Sequence, residues 1–162
     1  MKRILSLFVL GCLLLCGCSR LPAQTGDTVN FYYVRSAYRE DMTSLMDSER
    51  RDPAGHQDDL SYLLALYLIG PSSDELISPI PSDTELLSVS QNGNSVTVEL
   101  SDTGKTMSES HFALSCACLS MTCLDLTGAE TVTVTSGSRT ITMTRSNLFF
   151  TDHAITNTED SP

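Results

Sequence analysis

The chain has 162 residues, with 10 basic and 20 acidic side chains and a formal net charge of −10 at pH 7. This length suits one domain with a modest core. The acidic balance excludes nucleic acid as the main partner, because phosphate contacts require clustered basic side chains.

The N-terminus has the pattern of a bacterial lipoprotein signal. Lys2 and Arg3 precede an apolar run over residues 4–15 that is too short to span a bilayer as a mature helix. The run ends in an apolar residue and two small ones before Cys18, the pattern at which lipoproteins are acylated and cut. We predict a signal peptide at 1–17, lipidation of Cys18 with palmitate-type chains, and an anchor on the extracytoplasmic face of the cell membrane. Acylation of Cys12 and an ordinary cleaved secretory signal are the alternatives.

The sequence after the signal divides into a tether, one domain and a tail. Residues 18–28 are polar, contain Pro and Gly, and form a lipidated tether. Residues 29–150 form the domain, and residues 151–162 are an acidic tail that we predict to be disordered. Cleavage removes two of the ten basic residues, so acyl chains rather than protein charge must hold the mature chain at an anionic membrane.

Strand and helix patterns alternate in the first half of the domain. Residues 29–34 are β-branched and aromatic and predict a strand, and the charged segment 44–51 fits one edge strand. An apolar stripe at helical spacing then predicts a helix that Asp58 caps and Gly70 ends. Residues 71–83 contain three prolines and are predicted to form a connection with at most one short turn.

The second half of the domain contains two hairpins around a longer helix. Its predicted elements are strands at 84–91 and 95–101, a helix at 108–126, and strands at 131–135 and 139–144. Asn92-Gly93 predicts the first hairpin turn, because both positions tolerate positive φ. The whole order predicts an α+β fold: a small mixed or antiparallel sheet with two helices packed on one face, arranged β-(β)-α-β-β-α-β-β.

The motifs from residue 58 onward form a distinctive series. They are Leu-Leu at 63–64, Leu-Ile-Gly-Pro at 68–71, Ile-Pro-Ser-Asp-Thr-Glu-Leu-Leu-Ser-Val at 80–89, the strand at 96–101, and Met-Thr-Cys-Leu-Asp-Leu at 121–126. Together they resemble the GerMN domain, a sporulation and germination module of Gram-positive envelope lipoproteins, over about residues 29–145. Two positions depart from the family pattern: Asp83 replaces a glycine, which Asp tolerates at some cost in a left-handed turn, and Thr127-Gly128 replaces Pro-Gly.

The resemblance implies an assembly or ligand-binding module with no catalytic set, so we expect no enzyme activity and no cofactor. The expected partners are the membrane, through the lipid anchor, and envelope proteins or a second copy of the chain. Peptidoglycan contact is left open. The alternative is a glycan- or solute-binding lipoprotein that assists peptidoglycan remodelling or transport, which the lack of tryptophan and the small domain disfavour.

The cysteines near the C-terminus invite a metal or redox interpretation. Cys116, Cys118, Cys123 and His111 fall in one predicted helix, but Cys118 lies about 160° round the axis from Cys116. Ligands on opposite sides of a helix do not converge on one ion. We therefore interpret Cys116 and Cys123, which share the Phe112 stripe, as small core residues.

Other polar groups have weaker patterns. The acidic residues Asp47, Glu49, Asp52, Asp58 and Asp59 lack the ordered spacing of a calcium loop and fit a solvated loop better. The three histidines, His56, His111 and His153, are scattered and no nucleophile elbow accompanies them. Ser78–Thr84 is either a contact surface or a rigid connector, and the connector is favoured.

Overall fold

The computed structural model describes residues 28–37, 44–103 and 107–148. The strands of this part of the chain are β1 Val29–Arg35, β2 Met46–Arg51, β3 Leu76–Ile77, β4 Leu86–Asn92, β5 Ser95–Leu100, β6 Thr131–Ser136 and β7 Arg139–Thr144. The helices are α1 Leu60–Leu68, α2 Glu109–Thr127 and α3 Arg145–Leu148. No helix among these residues is long and apolar enough to cross a bilayer.

The strands form two sheets. One has the order β2-β1-β3, and the other has the order β4-β5-β6-β7, in which β5 and β6 are parallel and the outer pairs antiparallel. The helix α2 connects β5 to β6 and packs against β1 of the first sheet and against β6 and β7 of the second. The α+β class is therefore confirmed, with two sheets where the sequence predicted one and with α2 enclosed between them.

The burial of α2 explains this arrangement. Every residue from Cys118 to Leu124 is buried, which is almost two full turns of the helix. A helix that is buried all round must have partners on more than one side. The stripe that includes Phe112, Cys116 and Cys123 belongs to the main hydrophobic core, which confirms the core interpretation of the two cysteines.

Both long helices begin at residues that accept backbone hydrogen bonds. The N-cap of α1 is Asp59 rather than the predicted Asp58, and its carboxylate accepts the N–H of Tyr62 at 3.0 Å. Ser108 caps α2 and accepts the N–H of His111 at 3.3 Å. The helix ends at Gly128, whose φ of 67° is left-handed and free of strain for glycine.

Two sequence predictions in the connections are wrong in detail. The first hairpin turn is Gly93-Asn94, one residue later than predicted, because Asn92 pairs with Ser95 and only Gly93 has a positive φ. The connection 71–83 also supplies β3, which pairs with the C-terminal end of β1. Asp83, which replaces the family's glycine, does not have a positive φ, so its substitution costs no backbone strain.

The segment Ser78–Thr84 is held as a connector. Ser115 of α2 donates its hydroxyl to the carbonyl oxygen of Pro79 at 2.6 Å. The side chain of Ile80 lies in the core and Thr84 is also buried, whereas the turn at 82–83 is exposed. These contacts support the rigid connector that the sequence favoured.

Two stacked tyrosines link α1 to the first sheet. The rings of Tyr33 on β1 and Tyr67 on α1 are parallel, with centroids 4.8 Å apart. Tyr33 donates its hydroxyl to the carbonyl oxygen of Tyr67 at 2.9 Å, and Tyr67 donates to the carbonyl oxygen of Tyr32 at 3.1 Å. Burial raises the pKa of both hydroxyl groups, so both remain protonated donors.

Candidate functional site

The predicted lipidation site, Cys18, lies outside the described residues. So do the signal at 1–17, the alternative site Cys12, nearly all of the tether at 18–28, and the acidic tail at 151–162. These assignments stay predictions.

The structure buries the three remaining cysteines. Cys116, Cys118 and Cys123 are all free thiols inside α2. Burial raises the pKa of each to about 12, although the charge of Arg139 opposes this for Cys116. Since the thiolate is the nucleophile and the metal ligand, thiols with such pKa values are poor at both roles at neutral pH.

The acidic residues do not form one site. Asp47 pairs with Arg35 at 2.7 Å, Asp52 accepts the N–H of Ala54, and Asp59 caps α1. Within the described ranges no group of three or more His, Cys, Asp or Glu side chains is placed to hold a metal ion. His56 stacks on the ring of Tyr62 at 4.2 Å, and His111 is exposed on α2.

Glu49 is the exception among these acids, because it is largely buried. Its side chain is 12% exposed, forms an ion pair with Arg51, and accepts the backbone N–H groups of Ser72 at 2.8 Å and Ser73 at 3.2 Å. Arg51 in turn donates to the carbonyl oxygen of Gly70 at 2.6 Å. This cluster fastens β2 to the segment that follows α1 and has a structural role.

An open cleft lies beside the start of α1. It has about 470 Å³ of space, including open solvent, and its walls come from α1, β4, the end of α2 and the loop before α1. The lining residues are Gln57, Asp58, Leu60, Leu63, Gln91, Leu126 and Thr127. The lining combines two glutamines and one aspartate with three leucines, a composition that suits a small polar ligand with an apolar side.

The outer side of the four-stranded sheet is a polar surface formed by residues of all four strands. Residues paired across strands share a side of the sheet. Every second residue of β5, beginning with Val96, and every second residue of β6, ending with Ser136, is buried on the inner side. The outer side therefore carries the other set: Ser88, Ser90, Asn92, Ser95, Thr97, Glu99, Thr131, Thr133, Thr135, Thr140, Thr142 and Thr144. We call these twelve residues the hydroxyl face.

The hydroxyl face differs from the rest of this acidic chain in charge. Glu99 is its one ionisable residue, and Ser88 donates to it at 3.1 Å. The threonines form ladders between β6 and β7, with hydroxyl distances of 3.0 Å for Thr133 and Thr142 and 3.2 Å for Thr135 and Thr140. Sequence reasoning missed this face, although the alternation of threonine from 131 to 135 and from 140 to 144 carries its signal.

The enclosed helix, the two sheets and the twelve-residue polar face define a small α+β domain. A family model described as Germane, sporulation and spore germination, matches residues 30–141, which run from β1 into β7. The chain belongs to the Germane family, and the resemblance to the GerMN domain is confirmed.

The chain was also compared with curated protein sequences and with solved structures. No match is found among curated protein sequences. Among solved structures the chain is similar to one described as a candidate lipoprotein from Clostridium perfringens, with 16% sequence identity and a TM-score of 0.42. That alignment covers 74% of this chain and 89% of the other.

Proposed function

We propose that the protein is a lipid-anchored, non-catalytic interaction module of the cell envelope, which acts in sporulation or germination by holding a protein partner at the membrane. Membership of the Germane family supports a role in sporulation or germination. The sequence before Cys18 supports the anchor. The hydroxyl face is the feature that supports binding of a protein partner.

The physical argument concerns desolvation. A partner that covers a charged side chain must remove its water, which costs far more than covering a hydroxyl group that already has a hydrogen bond. On the hydroxyl face, Thr133, Thr135, Thr140 and Thr142 are already paired with one another. The centres of protein interfaces are depleted of charge in the same way. This face can therefore be covered at lower cost than the charged surfaces of β2.

The anchor has a direct test. Cells that express the full chain and are fed a palmitate analogue should label the wild type, and Cys18→Ala should lose the label and leave the membrane fraction. Cys12→Ala should keep both properties, which makes it the matched control. Full labelling of Cys18→Ala would contradict the anchor at this position.

The interaction has a separate test. Full-length protein is recovered from gently solubilised envelopes with the proteins bound to it in stoichiometric amounts. We expect Thr97→Lys, which places a charge at the middle of the hydroxyl face, to lose its partner. Ala65→Lys, at an exposed position of α1, should keep it. Equal recovery with both variants would contradict a role for the hydroxyl face.

A glycan- or solute-binding role is the second candidate, and the cleft beside α1 is the observation that favours it. Its amide groups, Gln57 and Gln91, can donate to and accept from a sugar, and Leu63 offers an apolar surface. In the same recovery experiment, retention of the protein on purified cell wall, with no stoichiometric protein partner, would support this candidate over the first.

A further inference from the structure

The outer strands of the two sheets differ in how they are protected against pairing. β2 carries four charged residues out of six, and β3 has only two residues. β4 has an irregular register between Leu86 and Ser88. Charge, shortness and bulges are the usual means by which natural edge strands avoid partners.

The strand β7 has one charged residue, Arg139 at its first position, and is neither short nor bulged within the described part of the chain. It pairs with β6 in a regular register, from the pair Ser136 and Arg139 at the turn to the pair Thr131 and Thr144 at the other end. The residues from 140 to 144 are Thr-Ile-Thr-Met-Thr, without charge, proline or glycine. Such a strand is open to addition of another strand.

The hairpin fixes which backbone groups of β7 face outward. Ser136 and Arg139 close a two-residue turn, so their N–H and C=O groups bond to each other. Bonding alternates along an antiparallel pair. The N–H and C=O groups of Thr140, Thr142 and Thr144 therefore point away from β6, outward from what is an edge of the sheet among the described residues.

These groups are complementary to those of a second β7. In an antiparallel pair centred on Thr142, that residue faces its own copy, and Thr140 faces Thr144 of the second copy. Hydroxyl side chains then meet hydroxyl side chains on the outer side. On the inner side, Ile141 meets Met143 of the second copy, so no charge opposes another between 140 and 144.

Arg139, the first residue of β7, would face Arg145 of the second copy in this register, but both side chains bind within their own domain. Arg139 lies over the ring of Phe112 at 4.1 Å and donates to the carbonyl oxygen of Met107 and the hydroxyl of Thr103. Arg145 donates to the carbonyl oxygen of Leu124 at 2.9 Å. Both guanidinium groups thus have hydrogen-bond partners within their own domain.

We propose that β7 is a self-association edge, at which two copies of this chain pair antiparallel across a two-fold axis at Thr142 and join their four-stranded sheets into one. Two-fold interfaces are self-complementary, as this strand is. One strand pair buries less than the roughly 1,200 Å² typical of a stable complex, so the association is weak in free solution. Two copies anchored on one membrane meet at a far higher effective concentration.

The test is site-specific cross-linking of the full chain in membranes with a short bifunctional thiol reagent. Opposed Cβ atoms in such a pair lie about 5.5 Å apart, beyond the range of about 3.5–4.5 Å for a direct disulfide. We expect Thr142→Cys to give a covalent dimer. Thr140→Cys should give none alone and should give one when mixed with Thr144→Cys, because those positions face each other.

Two controls make the outcome decisive. Ser90→Cys, an exposed position on the opposite edge strand β4, should not cross-link. Wild type should also be silent, because Cys116, Cys118 and Cys123 are buried and, on the proposed function, Cys18 is acylated. A dimer from wild type would count against the acylation of Cys18 and not against the pairing. No dimer from Thr142→Cys, or equal dimer from Thr140→Cys alone, would overturn the proposal.

Discussion

Replacing Tyr67 by alanine should lower the free energy of unfolding by about 3–5 kcal/mol, the range for deleting a large buried aromatic side chain. Tyr67 is fully buried, stacks on Tyr33 and makes a T-shaped contact with the Phe31 ring, with centroids 5.8 Å apart. Its loss leaves a cavity between α1 and the first sheet. Urea denaturation followed by circular dichroism measures the effect.

The matched variant Tyr67→Phe separates packing from hydrogen bonding. It keeps the ring and removes the hydroxyl that donates to the carbonyl oxygen of Tyr32. An unpaired buried acceptor costs about 1–3 kcal/mol, so this variant should lie between wild type and Tyr67→Ala. Equal losses in the two variants would show that the ring contributes little, against the packing described here.

Replacing Glu49 by glutamine should cost about 2 kcal/mol at pH 7, the scale of a hydrogen bond to a charged group. Burial alone would raise the pKa of Glu49, but the hydrogen bonds from Arg51, Ser72 and Ser73 and the charge of Arg51 lower it below the ordinary value of 4.5. Folding therefore favours the carboxylate form of this side chain.

The pH dependence of this contribution follows from the lowered pKa. The stabilisation is complete above the unfolded-state value of 4.5 and is lost as the pH falls through the lower folded-state value. Denaturation curves of wild type and Glu49→Gln should be well separated at pH 7 and converge in strong acid. Glu85→Gln, at an exposed position, should stay within about 0.5 kcal/mol of wild type at pH 7. A difference in the free energy of unfolding between wild type and Glu49→Gln that stays constant from pH 7 to strong acid would contradict a lowered pKa for Glu49.

Local patterns predicted most elements of the fold because local chemistry determines them. The threonine and valine alternation of β6 and the capping serine of α2 both act within a few residues. The connection 71–83 was harder to predict, because β3 is only two residues long and exists through its pairing with β1. Proline content says nothing about such a distant partner.

The division into two sheets depends on contacts that no local pattern contains. The sequence shows the apolar stripe of α2, but polar residues beside that stripe, such as Ser115 and Thr122, are buried as well. Thr122 accepts the backbone N–H of Tyr32 at 3.0 Å, so a side chain of the helix takes the place of a neighbouring strand. A threonine in this role cannot be distinguished by sequence from one that faces water.

The candidate surfaces, too, could be predicted from the sequence only in part. The threonine alternation that forms the hydroxyl face is visible in the sequence, whereas the order of strands that makes β7 an edge is not. The cleft beside α1 joins residues from three separate segments of the chain, which only the tertiary structure brings together.

The position of β1 also determines how the domain would respond to mechanical force. Its N-terminal end, Val29, directly follows the predicted tether, and β1 is paired antiparallel with β2 from Val29 and Arg51 to Val34 and Met46. A pull on the predicted tether would act along β1, whereas the hydrogen bonds between β1 and β2 are perpendicular to the strand. The bonds are then loaded together in shear rather than broken one after another, so the strand next to the predicted attachment point is arranged to bear tension.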